Sequence, residues 1–411
     1  MSGPRIPRER RFITFGSPRI SRDDVRAVSR VLRSGWLGTG PMVHEFERAF
    51  ARYKGADHAV AVSSCTAALH LALLAAGIGP GDEVITTPLT FCATVNAIIH
   101  AGAVPVLVDV DPRTMNLDHE LLAPAIHART KAIVPVHFAG LPCDTATITS
   151  IAARHGLTVI EDCAHALESE SHGTPTGTAG DFGCFSFYVT KNITTGEGGM
   201  VLARSAEQAE HLRRLALHGL SAHAWARYGG RGYRHYTVTA AGFKYNMTDI
   251  QAALGLSQLR RIDAYWRRRR ALWRRYVQGL RHLPLPLPPE PAPGVKHAYH
   301  LFTVLVDPAR LALDRDTFTQ RMAAARIGVG VHYRSIAGEA FYRERFNWRP
   351  EEYPHADRIG GQTVSLPMSA RMTTGDVDRV VGAIDKICTA ALRTGRRQRR
   401  SRPAAAAPDL R

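Results

Sequence analysis

The sequence predicts an α/β protein: a mainly parallel sheet with helices on both faces, followed by a smaller C-terminal α/β unit. Two observations carry this. Short apolar, β-rich runs recur through residues 58–203 with helix-like segments between them, the alternation that puts parallel strands in one layer and helices on either side. A proline-rich stretch, LPLPLPPEPAPG at 283–294, then breaks all regular structure and reads as a connection between domains. A length of 411 residues accommodates two domains sharing an interface.

Residues 1–11 form a basic N-terminal arm, and the large domain is expected over 12–282. Its candidate strands are HAVAV (58–62), EVITT (83–87), VPVLVDV (104–110), KAIVPVHF (131–138), LTVIED (157–162), CFSFYV (184–189) and GMVLA (199–203). Between the first two, TAALHLALLAAGIGPGD is a helix closed by Gly-Pro-Gly. NAIIHAG and DTATITSIAARHG fill later intervals. Thr248 opens one long helix, with Gln251 as its capping-box partner. Ile250, Leu254, Leu259, Ile262, Trp266, Trp273, Val277 and Leu280 keep helical spacing through its arginine-rich stretch, and Arg267–Arg270 are expected on its solvated side. Residues 283–296 lead into a small domain at 297–392. The segment 393–411 lacks apolar periodicity and reads as a disordered basic tail.

Apolar residues make up 45% of the chain and charged residues 22%, an ordinary globular balance. No apolar run reaches the roughly 18 residues that cross a bilayer. Arg10-Arg11 is followed by FITF, but the apolar stretch stops at once, so no hydrophobic signal region follows and the expected location is the cytoplasm. The six cysteines (65, 92, 143, 163, 184, 388) form no C-x-x-C pair and read as buried free thiols rather than disulfides or a metal site. The net charge of +17 is concentrated at the ends: four arginines and one glutamate in 1–11 (+3), seven arginines and one aspartate in 393–411 (+6). An electrostatic RNA contact is one reading of that tail; solvated arginines are the preferred one. The mildly basic body suits small anionic ligands.

In a parallel sheet of this kind ligands gather at the carboxyl ends of the strands. Six lysines stand against forty-seven arginines, so each can be weighed. Lys54 and Lys386 look exposed, Lys131 starts a strand, and Lys296 follows the proline-rich stretch. Lys191 lies between the strand CFSFYV and the glycine-rich NITTGEGG. A lysine in such apolar surroundings has a lowered pKa, and its neutral amine can form a Schiff base; the alternative is a surface lysine between two strands. Asp162 ends LTVIED, where a lone carboxylate is costly to bury. A protonated pyridine nitrogen would be a suitable partner; the alternative is a helix cap, since CAHAL follows. His165 comes three residues on. Ser63, Ser64 and Thr66 sit where a strand turns into a helix, a place for anions or for ordinary capping. Ser186 could add a hydroxyl. Phe91 follows another strand end and could stack on a planar ring, core packing being its default. GTG at 38–40 lacks the third glycine of a dinucleotide fingerprint. No P-loop, G-x-S-x-G or H-E-x-x-H is present.

From about Phe12 to about Ile387 the chain resembles the DegT/DnrJ/EryC1/StrS sugar aminotransferases of fold type I. The likeness is carried by SGWLGTGPMVHEFERAFARYKG, SSCTAALHLALLAAGIGPGDEVITTPLTFCAT, GAVPVLVDVD, PVHFAG, HGLTVIEDCAHA, GDFGCFSFYVTKNITTGEGGMV, GFKYNMTDIQAALGLSQL and GVHYRSI. The resemblance implies pyridoxal 5'-phosphate as cofactor, held covalently by Lys191. Asp162 then pairs with the pyridine nitrogen, His165 lies by the ring hydroxyl, and Phe91 stacks on the ring. Ser64, Cys65, Thr66 and Ser186 hold the phosphate, Cys65 through its backbone because relatives commonly have glycine there. A side chain of the GFKYNM segment reaches the phosphate of the other subunit, which implies a homodimer with shared sites. Relatives commonly read G-Y-N-Y-R in that segment, so both Lys244 and Asn246 stand as candidates. Phe15, Trp36, Leu37, Gly38, Thr39, His332 and Tyr333 are expected to line a sugar-nucleotide site, and no metal is implied.

The KYN variant, TKNIT and HYRSIAGEAFYRERF are most similar to the branch that aminates 4-keto sugars on UDP, of the 4-amino-4-deoxyarabinose type. The implied reaction moves an amino group from L-glutamate to a nucleotide-linked keto-sugar, releasing 2-oxoglutarate. A keto-cyclitol or a 3-keto sugar is the alternative substrate, and a non-catalytic regulatory or nucleic-acid-binding relative the alternative class. Relatives with histidine at the lysine position dehydrate sugars instead, and Lys191 argues against that.

Overall fold

The computed structural model of the chain describes residues 11–221 and 236–400. Residues 1–10 of the basic arm and 401–411 of the tail lie outside the described residues. Two helices, α1 (Arg22–Ser34) and α2 (Pro41–Lys54), precede the sheet. Strands and helices then alternate: β1 (His58–Val62), α3 (Cys65–Ala75), β2 (Glu83–Thr86), α4 (Cys92–His100), β3 (Val104–Leu107), the short α5 (Leu122–Ala125), β4 (Thr130–Ile133), α6 (Thr145–His155) and β5 (Thr158–Asp162). A small hairpin, β6 (Glu170–Ser171) and β7 (Thr174–Pro175), leads to β8 (Phe182–Ser186), β9 (Gly199–Ala203) and α7 (Ala206–Ala216). The long pair α8 (Asp249–Leu259) and α9 (Ile262–Leu280) follows, and β10 (Val295–Lys296) joins the hairpin. The C-terminal unit holds β11 (Phe302–Leu305), α10 (Pro308–Leu311), α11 (Arg315–Ala324), α12 (Ala340–Phe346), α13 (Pro354–Gln362), β12 (Thr363–Leu366) and α14 (Thr374–Arg400).

The main sheet has seven strands in the order β1-β9-β8-β5-β4-β2-β3. β8, β5, β4, β2 and β3 run parallel, and β9 is antiparallel to both its neighbours, so the expected mainly parallel sheet is present. The inner strands bury both faces, successive side chains pointing to opposite sides. Val60 and Val62 pack under α3, α4 and α7, while Ala59 and Ala61 meet α2 and α8 on the other side. Ile148 and Ile151 of α6 cover Ile133 and Val159 on that second side.

The single helix expected from Thr248 is two. Thr248 caps α8 with Gln251 in a capping box, as its sequence suggests, but the chain leaves helical geometry at Arg261. The reason is packing. Ala252, Leu256 and Leu259 enter the core of the large sheet, whereas Leu272, Trp273, Tyr276 and Leu280 belong to the core of the C-terminal unit with Phe302, Val304 and Ile384. A turn lets one apolar stripe serve two cores. Arg269, expected in solvent, is 2% exposed; Arg267 does face solvent. Ile13 of the N-terminal segment also packs into the C-terminal core and bridges Ile327. At the other end α14 continues to Arg400, past the boundary at 392.

One lysine and two cysteines differ from expectation. Lys54 is buried, its Nζ donating to the Leu167 carbonyl at 3.0 Å and Thr176 Oγ1 at 3.4 Å, because it is the last residue of α2, one turn beyond Phe50 on the helix's buried face. All six cysteines are free, but Cys65 and Cys92, the first residues of α3 and α4, are only half-buried. The strand around Ser186 covers 182–186 rather than 184–189. Among the described residues, no helix is long and apolar enough to cross a membrane.

Candidate active site

At the carboxyl ends of β1, β5 and β8 lies a cavity of about 530 Å³. Ser64, Cys65, Thr66, Phe91, Asp162, His165, Ser186, Lys191, His332 and Tyr333 all line it, although they come from segments scattered over 270 residues of sequence. β5 and β8 are paired with Asp162 opposite Cys184, which brings Asp162 and Ser186 to neighbouring strand ends.

Asp162 is buried. Its Oδ2 accepts from the Thr94 hydroxyl at 2.8 Å and its Oδ1 from the Ala164 amide at 3.1 Å. No helix follows it; Cys163–Ser169 form successive turns, so the carboxylate caps a turn and faces the cavity. Its neighbour Glu161 points to the opposite side of the strand, as alternation requires. There it accepts from the Gly177, Ala179 and Gly180 amides at 2.8, 2.9 and 2.7 Å and meets His137 Nε2 at 2.9 Å. His137, Glu161 and Cys163 are close enough to hold a cation, but those four bonds already occupy the carboxylate. Burial raises the Asp162 pKa against the two hydrogen bonds and the Lys191 charge, which lower it: removal from water outweighs the donors.

Lys191 sits in a turn after β8, its amide bonded to the Tyr188 carbonyl at 2.9 Å. Desolvation lowers its pKa to about 8, with Cys65 and Asp162 opposing. The amine is therefore partly neutral near physiological pH, which a nucleophile requires.

α3 starts at the cavity with Ser64 as N-cap, its Oγ accepting from the Ala67 amide at 3.1 Å. The amides of Cys65 and Thr66 belong to the first turn, which has no intrahelical acceptor for them, and the helix dipole favours an anion there. Close packing shapes this end: a Cβ on Gly199 would meet the Ser64 backbone at 2.5 Å, so only glycine lets β9 run beneath it. Phe91 caps α4 and is 57% exposed; it is no core residue. His165 is buried, with Nε2 3.0 Å from the Tyr333 hydroxyl and Nδ1 lacking a partner. Burial first, then the Lys191 charge, holds it neutral, and the same causes take His332 down to about 4.

The other expected residues lie outside this cavity. Phe15 stacks on His332 from behind, centroids 5.2 Å apart. Trp36, Leu37 and Gly38 form an exposed loop, and Thr39 donates to the Met247 carbonyl. Lys244 Nζ meets Asn246 Oδ1 at 2.7 Å, and Asn246 Nδ2 meets Thr39 Oγ1 at 2.7 Å. Sequence reading missed Thr94, Thr90, Tyr188, Thr190 and Glu197, which line the same cavity. Thr94 had a signal in its place on the first turn of the helix after a strand end; the others had none.

A partly neutral amine, a buried carboxylate and an anion-binding helix end around one cavity suit a carbonyl compound that carries an anionic group. The profile of the DegT/DnrJ/EryC1/StrS aminotransferase family matches residues 18–385. The chain is 43% identical over 387 residues to the spore coat polysaccharide biosynthesis protein SpsC of Bacillus subtilis, covering 94% of this chain and all of that protein. Among solved structures, the putative sugar aminotransferase Spr1654 of Streptococcus pneumoniae in its PMP form superposes with a TM-score of 0.87 at 31% identity, covering 94% of this chain and 100% of that one. DesI, solved in the presence of its TDP-sugar product, gives 0.83 at 30% identity over 95% and 96%. The chain therefore belongs to the DegT/DnrJ/EryC1/StrS aminotransferase family, and is a pyridoxal-phosphate-dependent enzyme.

Proposed function

We propose that this enzyme transfers an amino group from L-glutamate to the 4-keto group of a nucleotide-linked sugar, as a cytoplasmic homodimer with shared active sites. The observation that carries the reading is the meeting of Lys191 and Asp162 in one cavity with the α3 N-terminus. The residues present fit pyridoxal phosphate: an amine for its aldehyde, a carboxylate for its ring nitrogen, helix amides for its phosphate, and an unpartnered buried His165 Nδ1.

When bound, pyridoxal phosphate supplies an electron sink that draws charge from the carbon bearing the transferred amine. The chain's residues do the rest. Lys191 would hold the cofactor through its amine and, when free, would serve as general base and then acid for the proton that moves in the transfer. Its lowered pKa suits both roles. Asp162, oriented by Thr94 and Ala164, would stabilise the ring N–H. The Cys65 and Thr66 amides, with the Ser64, Thr66 and Ser186 hydroxyls, would take the phosphate, and Phe91 would stack on the ring. His165, beside the Tyr333 hydroxyl, would serve the ring hydroxyl.

Lys244 and Asn246 line no part of their own chain's cavity, which supports their service to the phosphate of the partner. His332, Tyr333, Phe15 and the Trp36–Thr39 loop would receive the sugar nucleotide. Its diphosphate suits the basic body of the chain, and DesI, a relative solved in the presence of its TDP-sugar product, supports a nucleotide-linked substrate. SpsC, a relative of polysaccharide biosynthesis, supports a sugar. Six free cysteines are in keeping with a reducing compartment.

The test is a panel of 4-keto and 3-keto nucleotide sugars and a keto-cyclitol, each with glutamate, read as 2-oxoglutarate release. Turnover with a 4-keto nucleotide sugar is expected. Preference for a 3-keto sugar or a cyclitol would overturn the substrate reading while leaving the cofactor chemistry intact.

A further inference from the structure

Behind Lys191 its turn is anchored by a chain of polar groups that runs from half-buried Asn192 into the interior. Asn192, the next residue, donates from Nδ2 to Glu168 Oε2 at 2.5 Å and to the Ala298 carbonyl at 3.4 Å. Glu168 is ion-paired with Arg269 of α9, and both side chains are almost fully buried. Arg269 Nε reaches the same Ala298 carbonyl at 3.4 Å. On its other side, Asn192 Oδ1 lies 2.9 Å from Nδ1 of His300. The His300 ring packs on His165, centroids 4.6 Å apart.

The donors and acceptors along this chain have one consistent arrangement. A guanidinium only donates, and the carboxylate paired with it only accepts. Asn192 must therefore turn its NH2 to Glu168, which leaves Oδ1 toward His300. His300 must then carry its proton on Nδ1, so its Nε2 holds a lone pair. Burial first, and the Lys191 charge next, keeps this ring neutral, so the tautomer is defined across the working range.

We propose that Asn192 is a positioning residue for Lys191: it locks the lysine-bearing turn to Glu168, Arg269 and the C-terminal unit, and sets His300 as its Nδ1–H tautomer. This rests on the reading of Lys191 as the lysine that holds the cofactor. Because α9 and the Ala298–His300 segment both belong to the C-terminal core region, the amine keeps its place only while that unit is docked. The neutral His300 also adds no positive charge beside the amine.

The test uses the full-length, cofactor-loaded enzyme labelled with nitrogen-15 histidine, His300 being assigned by the signal lost in His300→Gln. Wild type should show a protonated Nδ1 and an unprotonated Nε2 at His300, and Asn192→Ala should mix the two tautomers. Asn192→Ala should also shift the pH midpoint of the bound cofactor's visible absorption by about half a unit or more. Its kcat should fall about tenfold with little change in KM. An Nε2–H tautomer in wild type, or an unmoved midpoint in Asn192→Ala with cofactor bound, overturns the proposal. If Asn192→Ala does not fold, the wild-type tautomer decides alone. Absence of any visible band in wild type would defeat the reading of Lys191 and this proposal with it. A normal band with the wrong tautomer defeats only this proposal.

Discussion

The Thr94 hydroxyl donates a 2.8 Å hydrogen bond to Asp162 Oδ2, tying the first turn of α4 to the end of β5. The bond spans β4, which lies between β2 and β5 in the sheet, and holds the buried carboxylate in the cavity. It also lowers a pKa that burial raises. Thr94→Val keeps the shape and removes the donor. A hydrogen bond to a charged group is worth about 1.5–3 kcal/mol, so the variant should bind pyridoxal phosphate roughly tenfold or more weakly. Fluorescence or absorbance titration of the unloaded protein measures this, and an unchanged dissociation constant would remove Thr94 from the site.

Asp162→Asn should fold and still take up cofactor, yet lose about 100-fold or more in turnover, the scale seen when a positioned electrostatic partner is deleted. A near-normal rate would return Asp162 to a turn-capping role.

Lys191 should be the residue fixed to the cofactor by borohydride, and peptide mass mapping can distinguish it from the other five lysines. Its pKa of about 8 without cofactor sets a pH dependence with a definite sign. The folded chain releases this proton below the ordinary lysine value of 10.5, so between pH 8 and 10.5 the unfolded state binds more protons. Stability attributable to Lys191 therefore rises with pH across that window and is lost on acidification through pH 8. Cofactor uptake by the unloaded protein should rise through the same midpoint and level off above it. Uptake that falls with pH, or a tag on Lys54 or any other lysine, would contradict the assignment.

A shared site predicts complementation. Lys191→Ala chains and chains altered at both Lys244 and Asn246 should each be inactive alone. Mixed after dissociation, they should recover about one quarter of wild-type activity, since half the dimers pair unlike chains and one of two symmetric sites in each is whole. Lack of recovery in samples shown by native mass spectrometry to hold mixed dimers would place Lys244 and Asn246 outside the site.

The end of α14 is expected to be dispensable. Arg393 and Thr394 are exposed, whereas Ala391 is buried in the C-terminal core and Leu392 packs against it. A chain ending at Leu392 should keep its melting temperature and the kinetics of both half-reactions, while losing affinity for polyanions at low salt. A selective rise in KM for the sugar nucleotide would instead place those arginines over the substrate diphosphate.

The alternation of strands and helices, the helix starts at Thr248 and Ser64, and the strand end that carries Asp162 are legible in the sequence. These are local matters: period, capping and turn chemistry are written within a few residues of where they act. Tertiary structure decided the rest. Arg269 looked solvated within a run of four arginines, yet Glu168, 101 residues away, draws it inward. Lys54 looked exposed until the Leu167 carbonyl, 113 residues on, claimed its amine. Thr94 meets Asp162 across 68 positions, and His300 meets Asn192 across 108. Whether a polar side chain is buried depends on a partner that cancels its desolvation cost. That partner comes from another part of the chain, brought near only when the sheet and the two cores assemble.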